Sequence, residues 1–176
     1  MKTIGVIGAG QMGSGIAQTI AQNGINVLLT DRDLAIAEQS RAGIEKSLGK
    51  LVSKAKIQAA EAEAALARVT AVGDVAPMAE ADMIIEAATE KAEIKKAIFE
   101  NAGTVLGQGA IMASNTSSIP ITRMANWSPD PGRFIGLHFF NPVPVMGLIE
   151  VIPGLATDQD VTDRTMAFAH HLGKEV

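Results

Sequence analysis

Cysteine is missing from this chain, which rules out disulfides and thiolate metal sites and suits a reducing compartment, the cytoplasm. Tyrosine is missing too, and with only one Trp and five Phe there is little aromatic surface on which nucleic-acid bases could stack. Basic clusters are equally scarce. Fifteen Lys and Arg against 19 Asp and Glu leave a formal net charge of −4, the wrong sign for a polyanionic partner. No apolar run approaches the roughly 20 residues that span a bilayer, and the amino terminus leads straight into strand-like sequence. Neither a signal peptide nor a membrane anchor is expected, and no metal. What is present suits a folded domain: of 176 residues, 47% are hydrophobic and 19% charged, enough for one domain with a sizeable core.

The most informative stretch is Thr3–Gly24, TIGVIGAGQMGSGIAQTIAQNG. Ile4, Val6 and Ile7 form a short apolar run of the kind buried on both faces of a sheet. It enters Gly8-Ala9-Gly10-Gln11-Met12-Gly13, after which Ile16, Ala17, Ile20 and Ala21 recur at helical spacing until Asn23-Gly24 ends the helix. A strand, a glycine turn and a helix in that order suit a pyrophosphate. Gly8 permits the tight turn, Gly10 lets backbone approach the phosphates, and Gly13 lets the helix pack closely. The helix then presents its free N–H groups and positive end to the anion. A second strand, Asn26–Thr30, ends in Asp31, 18 residues beyond Gly13 and close to the ~20 expected for a carboxylate that holds ribose hydroxyls. That acid repels a 2′-phosphate, so NAD is favoured over NADP, although Arg32 beside it pulls the other way.

Further along, Leu34–Leu51 reads as a long helix with Ala37, Ile44, Leu48 and Leu51 on one face, and Ile57–Leu66 as a second, Ala/Glu-rich helix. Composition alone makes this hairpin a solvated, charged pair. Strands are expected at Val69–Val72, Asp82–Glu86, Ala110–Ala113, Arg133–His138 and Leu148–Ile152. Helices are expected over Ala92–Val105, with Ile94, Ile98 and Phe99 inward, from Ile119-Pro120, and over Asp160–Leu172, capped by Thr157-Asp158 and ended by Gly173. The alternation implies an α/β fold: a Rossmann-type, doubly wound, mostly parallel sheet with a helical-hairpin insertion after the second strand. Ligands in such sheets bind beyond the carboxyl ends of the strands, where Asp31, Glu90, Ser114–Ser118 and His138–Asn141 all fall.

Of three histidines, His170 and His171 sit in the last turn of a helix, where cations suit the dipole. His138 closes an apolar strand. A histidine there is commonly a satisfied core residue, but Glu150 lies within the next strand, Leu148-Ile149-Glu150-Val151-Ile152. A carboxylate flanked by apolar residues should not be buried without a partner, and His138 is the obvious one. Such a pair orients a general base and stabilises its imidazolium.

Four blocks, GAGQMGSGIAQ around Gly8–Gly13, SNTSS at Ser114–Ser118, GLHFFNPVPVM at Gly136–Met146 and LIEVI at Leu148–Ile152, together resemble the 3-hydroxyacyl-CoA dehydrogenase family over the whole chain. The likeness is strongest to its bacterial 3-hydroxybutyryl-CoA members. The resemblance implies that His138 is the general base, Glu150 its electrostatic partner and Ser117 a hydrogen-bond donor to the substrate oxygen. It implies that Gly8, Ala9, Gly10, Gln11, Met12, Gly13 and Asp31 hold the adenosine half of NAD, and that Glu90, Lys95 and Asn141 also contact the cofactor. By helix-start spacing alone Glu90 is a capping acid and Lys95 a solvated lysine. Ser47 and Lys54 match positions that touch coenzyme A, which gives the hairpin an acyl-CoA role that composition does not show. The implied reaction is NAD-dependent oxidation of a short-chain (S)-3-hydroxyacyl-CoA and its reverse, in fatty-acid or butanoate metabolism. A β-hydroxyacid dehydrogenase acting on free acids shares the glycine start but does not explain HFFNPVPVM; a non-catalytic NAD-binding protein is the third reading.

Family members continue for roughly another hundred residues, into a helical domain that pairs two subunits and closes the cleft. Residues 1–176 therefore correspond to the NAD-binding domain, and little turnover but intact NAD binding is expected of them. Exposure of the surface that the helical domain covers would favour self-association. Gly147 stands where many relatives carry Lys.

Overall fold

The inner strands of the central sheet are largely apolar on both faces because helices cover both, whereas the two edge strands keep exposed positions. The computed structural model describes residues Met1–Val176, and its seven strands are β1 (Thr3–Ile7), β2 (Asn26–Thr30), β3 (Val69–Ala71), β4 (Met83–Glu86), β5 (Ile111–Ser114), β6 (Phe134–Phe139) and β7 (Ile149–Pro153). They form one sheet in the order β3-β2-β1-β4-β5-β6-β7. The first six are parallel, and β7 returns antiparallel to β6 along the edge. Strand order reverses at β1, between β2 on one side and β4 on the other. The crevice beyond their carboxyl ends is where a dinucleotide is expected in a doubly wound fold.

Six helices complete the fold: α1 (Gln11–Gln22), α2 (Leu34–Ser53), α3 (Ala59–Ala67), α4 (Ala92–Gly103), α5 (Ile121–Ala125) and α6 (Gln159–His171). On one face, Ile16 and Ile20 of α1, Ile44 and Leu48 of α2, and Phe168 of α6 pack on Ile4, Val6, Met83 and Ile85. On the other face, Phe99 and Ala102 of α4 and Met124 of α5 pack on Ile7, Ile84, Met112 and Phe134. Alternate residues of β4 thus enter opposite cores. This is why MII reads as a continuous apolar run rather than an alternation.

The hairpin after β2 forms as its periodicity predicts. Ala37, Ile44 and Leu48 are buried, Asp33 caps α2 by accepting from the Ala35 N–H at 2.9 Å, and a Gln58–Glu61 capping box opens α3. Arg41 on α2 donates from Nε to the Val69 carbonyl of β3 at 2.8 Å, so the hairpin is tied to the sheet edge.

Two local expectations fail for identifiable reasons. Ile94 is exposed at 47%; the buried face of α4 is instead Lys95, Phe99 and Ala102, because Glu86 at the tip of β4 draws Lys95 inward. Asp158 occupies the N-cap position of α6, yet neither it nor Thr157 caps through its side chain. The Thr157 hydroxyl donates to the Phe134 carbonyl at 2.6 Å and accepts from the Gly154 N–H, so it fastens the preceding loop to β6. The segment Ala76–Glu80, between β3 and β4, forms a 3-10 turn that buries Met78 beneath β1.

Candidate active site

The glycine turn shows three different steric demands. Gly8 has φ +103°, and a Cβ there would lie 2.5 Å from the Ala88 backbone. At Gly13 a Cβ would fall 1.7 Å from the Gly8 carbonyl oxygen, so α1 can begin this close to the turn only without a side chain. Gly10 is different: an added Cβ would meet nothing within 4 Å. Its missing side chain leaves open space in front of the turn, and no residue of this chain fills it. Gly10 is also the N-cap of α1, with no capping side chain and no acidic residue in the first turn, so no side chain of the helix itself offsets its positive end. Open space, free amides and positive potential together fit a pyrophosphate.

Asp31, at the tip of β2, bends back to this turn. Its Oδ2 accepts from the Ala9 N–H at 2.7 Å and its Oδ1 from the Arg32 N–H at 2.8 Å. The carboxylate is therefore oriented beside the turn. Gln11, at the start of α1, donates from its side-chain amide to Oδ1 of Asn141 at 3.2 Å, which joins the glycine turn to the loop after β6. Met12 is half-buried against the core.

His138 and Glu150 are direct cross-strand neighbours in the β6–β7 register, and His138 Nδ1 lies 2.8 Å from Glu150 Oε2. Register brings them together, not burial. The Glu150 side chain is 51% exposed on the edge strand, so the expectation of a buried carboxylate needing a partner is corrected although the pair forms. With Nδ1–H donated to the carboxylate, Nε2 is left as the acceptor nitrogen of a neutral ring, a tautomer inferred from this hydrogen bond. The ring leans on Phe140, with centroids 4.7 Å apart. His170 and His171 cap backbone carbonyls, Lys174 O at 3.3 Å and Asn23 O at 3.0 Å, far along the chain from this cluster.

Glu90 gathers the loop after β5. Its carboxylate accepts from Thr116 Oγ1 at 2.6 Å, Ser118 Oγ at 3.2 Å and the Ser117 N–H at 3.3 Å. Ser117 is exposed, and its hydroxyl makes no hydrogen bond within the protein. Partial desolvation pushes the Glu90 carboxyl up, but the Thr116 hydroxyl, the Lys95 charge and the Ser117 and Ser118 donors outweigh it and hold it below its ordinary value. A carboxyl lowered on folding stabilises the native state above the ordinary carboxylate range and loses that contribution as pH falls through the lowered value. Urea denaturation of wild type and Glu90→Gln, compared from about pH 6 down to about pH 3, is expected to show a wild-type advantage that shrinks with acid. The effect is modest because the group is largely solvated.

Lys95 is not solvated. It is 1% exposed, and its Nζ meets Glu86 Oε2 at 2.6 Å and Ser114 Oγ at 3.5 Å. Ser114, Asn115 and Thr116 belong to the strand-tip cluster Ser114–Ser118 but have no individual role assigned from sequence, and Glu86, which ends the apolar run MIIE, has none at all. Ser47 is half-buried on α2 and Lys54 exposed at its carboxyl end, seven residues apart and so on one side of the helix. No hydrogen bond or ion pair joins either to the strand-tip cluster. A concavity of about 340 Å³ at the opposite, amino-terminal end of the strands, between Met1, Ile25, Asp82, Arg164 and Phe168, shares no residue with the cluster. No helix is long and apolar enough to cross a membrane.

A doubly wound sheet, a glycine turn at its switch point and a carboxylate at the tip of β2 that leans on that turn define a Rossmann-type dinucleotide-binding domain, here with a paired histidine at a neighbouring strand tip. Sequence comparison makes this specific. The family model described as 3-hydroxyacyl-CoA dehydrogenase, NAD binding domain, matches residues 3–176, and the chain belongs to that family. It is 45% identical over 97% of its length to a probable 3-hydroxybutyryl-CoA dehydrogenase of Deinococcus radiodurans, covering 61% of that protein. A 3-hydroxybutyryl-CoA dehydrogenase of Bradyrhizobium diazoefficiens is 44% identical over the whole chain, which covers 60% of it. The crystal structure of (S)-3-hydroxybutyryl-CoA dehydrogenase from Ralstonia eutropha superposes with a TM-score of 0.96 at 41% identity, over 99% of this chain and 62% of that one. The chain thus spans about three fifths of the length of these relatives. NAD is the cofactor of the family, and the open turn before α1 fits it.

Proposed function

We propose that this chain is the NAD-binding domain of a short-chain (S)-3-hydroxyacyl-CoA dehydrogenase, with 3-hydroxybutyryl-CoA as substrate and acetoacetyl-CoA as product. The observation that carries the reading is the 2.8 Å His138–Glu150 pair across β6 and β7, next to a loop that Asn141 and Gln11 join to the glycine turn. The Gly8–Gly13 turn and the α1 amino terminus hold the pyrophosphate, Asp31 the adenosine ribose, and Glu90 and Asn141 lie toward the nicotinamide half, while Lys95, held on Glu86, lies buried beneath it rather than against the cofactor. NAD, when bound, supplies the hydride acceptor. His138 Nε2 takes the proton of the 3-hydroxyl as C3 is oxidised, and Glu150 stabilises the resulting imidazolium. The free Ser117 hydroxyl donates to the substrate oxygen. Ser47 and Lys54, on one side of α2, reach for the anionic coenzyme A portion. Such a substrate is small, soluble and anionic, in keeping with a cytoplasmic enzyme. In the longer relatives a pairing of two subunits through the remaining part would complete the cleft, and the isolated chain would turn over slowly.

Titration of the chain with NADH and with NADPH, followed by nicotinamide fluorescence, tests the cofactor half. Saturable NADH binding at least about tenfold tighter than NADPH is expected, because the Asp31 carboxylate repels a 2′-phosphate. Equal affinity for the two, or no saturation with either, would overturn the reading.

A further inference from the structure

A buried ion pair lies where β4 and β5 run into the loops at their carboxyl ends. Glu86 is 0% exposed, at the tip of β4. Its Oε2 accepts from Lys95 Nζ at 2.6 Å and from Ser114 Oγ at 2.8 Å, while Oε1 accepts from the Ala88 N–H at 2.8 Å. Ser114 Oγ in turn accepts from the Thr116 N–H at 3.3 Å. The cluster thus ties Lys95 of α4 and Ser114 at the end of β5 to one backbone N–H in each of the two loops that leave β4 and β5, those of Ala88 and Thr116. The Ala87–Ala88 backbone lies where a Cβ on Gly8 would stand, so the first loop is packed on the glycine turn. The second loop carries Ser117, and its Asn115 accepts from the Phe139 N–H at 2.8 Å, the residue after His138.

A well-packed apolar group at this position would serve folding as well as a buried ion pair, whose desolvation cost cancels much of its attraction. Apolar side chains do not, however, fix the angle between two loops; hydrogen bonds to named atoms do. We infer that Glu86, Lys95 and Ser114 are positioning residues that hold the β4 and β5 loops in register, and through them set Ser117 and His138 against the nicotinamide end of NAD. The inference rests on the cofactor reading above. A dinucleotide anchored by Asp31 at β2 and lying across the switch point carries its nicotinamide over β4 to β6.

The consequence is selective. ADP-ribose, which lacks nicotinamide, depends on the glycine turn and Asp31; NADH depends on the clamped loops as well. The variant Ser114→Ala removes the oxygen between Glu86 and the Thr116 N–H and leaves the ion pair in place. It is expected to weaken NADH about three- to tenfold, the worth of one or two hydrogen bonds, with ADP-ribose affinity unchanged within about twofold. The charge-neutral double variant Glu86→Gln/Lys95→Met is expected to widen the same gap further. Loss of the two ligands in parallel, or of neither, in Ser114→Ala would overturn the positioning role, since a structural support alone would not separate them. Should the wild type bind ADP-ribose but not NADH, the cofactor reading itself fails, and that result is told apart by the wild-type arm alone.

Discussion

Replacing His138 with alanine, in a protein that also carries the part found in the longer relatives, is expected to lower acetoacetyl-CoA reduction about 10²–10⁴-fold while leaving the Kd for NADH within about twofold. The ring sits near the carboxyl end of β6, its partner Glu150 on the edge strand is half in water, and its loss exposes no uncompensated buried charge. Folding should therefore survive, and the loss belongs to proton transfer. Glu150→Gln separates the two functions of the pair. An amide oxygen can still accept from Nδ1–H and hold the ring, but it lacks the charge that stabilises an imidazolium. A fall in kcat of about tenfold or more with KM nearly constant is expected, as for an interaction made chiefly in the transition state. Steady-state assays with NADH at saturation read both variants. Undiminished turnover in His138→Ala would remove the general-base assignment.

Gly13→Ala should have the largest effect on the fold itself. A methyl group there would sit 1.7 Å from the Gly8 carbonyl oxygen, so either the turn or the first turn of α1 must shift. A cost of about 3 kcal/mol or more is expected, at the upper end for overpacking. In a domain of this size that lowers the Tm by about 6–12 °C. NADH binding should fall at least about tenfold, because the displaced amides no longer converge on the pyrophosphate. Gly10→Ala is the contrasting variant. Its methyl meets nothing within 4 Å of protein, so stability should change by no more than about 1 kcal/mol. NADH binding should nevertheless suffer, since the methyl occupies the approach to the turn. Thermal melts together with NADH titrations distinguish the two; equal effects on stability would contradict the steric assignment.

The turn and the strand tips were legible in sequence because their signals are local. GAGQMG announces a backbone that must bend sharply and be approached closely, and an acid after the second strand marks the ribose side. Helix periodicity placed Ala37, Ile44 and Leu48 on the buried face of α2. The same periodicity misassigned α4. Ile94 reads as core and Lys95 as surface when the helix is considered alone, yet Lys95 is buried because a carboxylate on a different element needs it. Glu150 was paired with the right histidine for the wrong reason: a flanking apolar run does not bury a residue on an edge strand, whose alternate side chains face water.

From its sequence alone, the chain determines an alternating α/β domain and a glycine turn between strand and helix, because each follows from side chains a few positions apart; it also supplies His138 and Glu150 on successive strands. Only the tertiary structure decides that β7 runs antiparallel, setting Glu150 opposite His138. It alone decides that Glu86, Lys95 and Ser114 meet beneath the cleft. Their members lie 9, 19 and 28 positions apart on a strand, a helix and a second strand, and no local pattern encodes a contact that only sheet order creates.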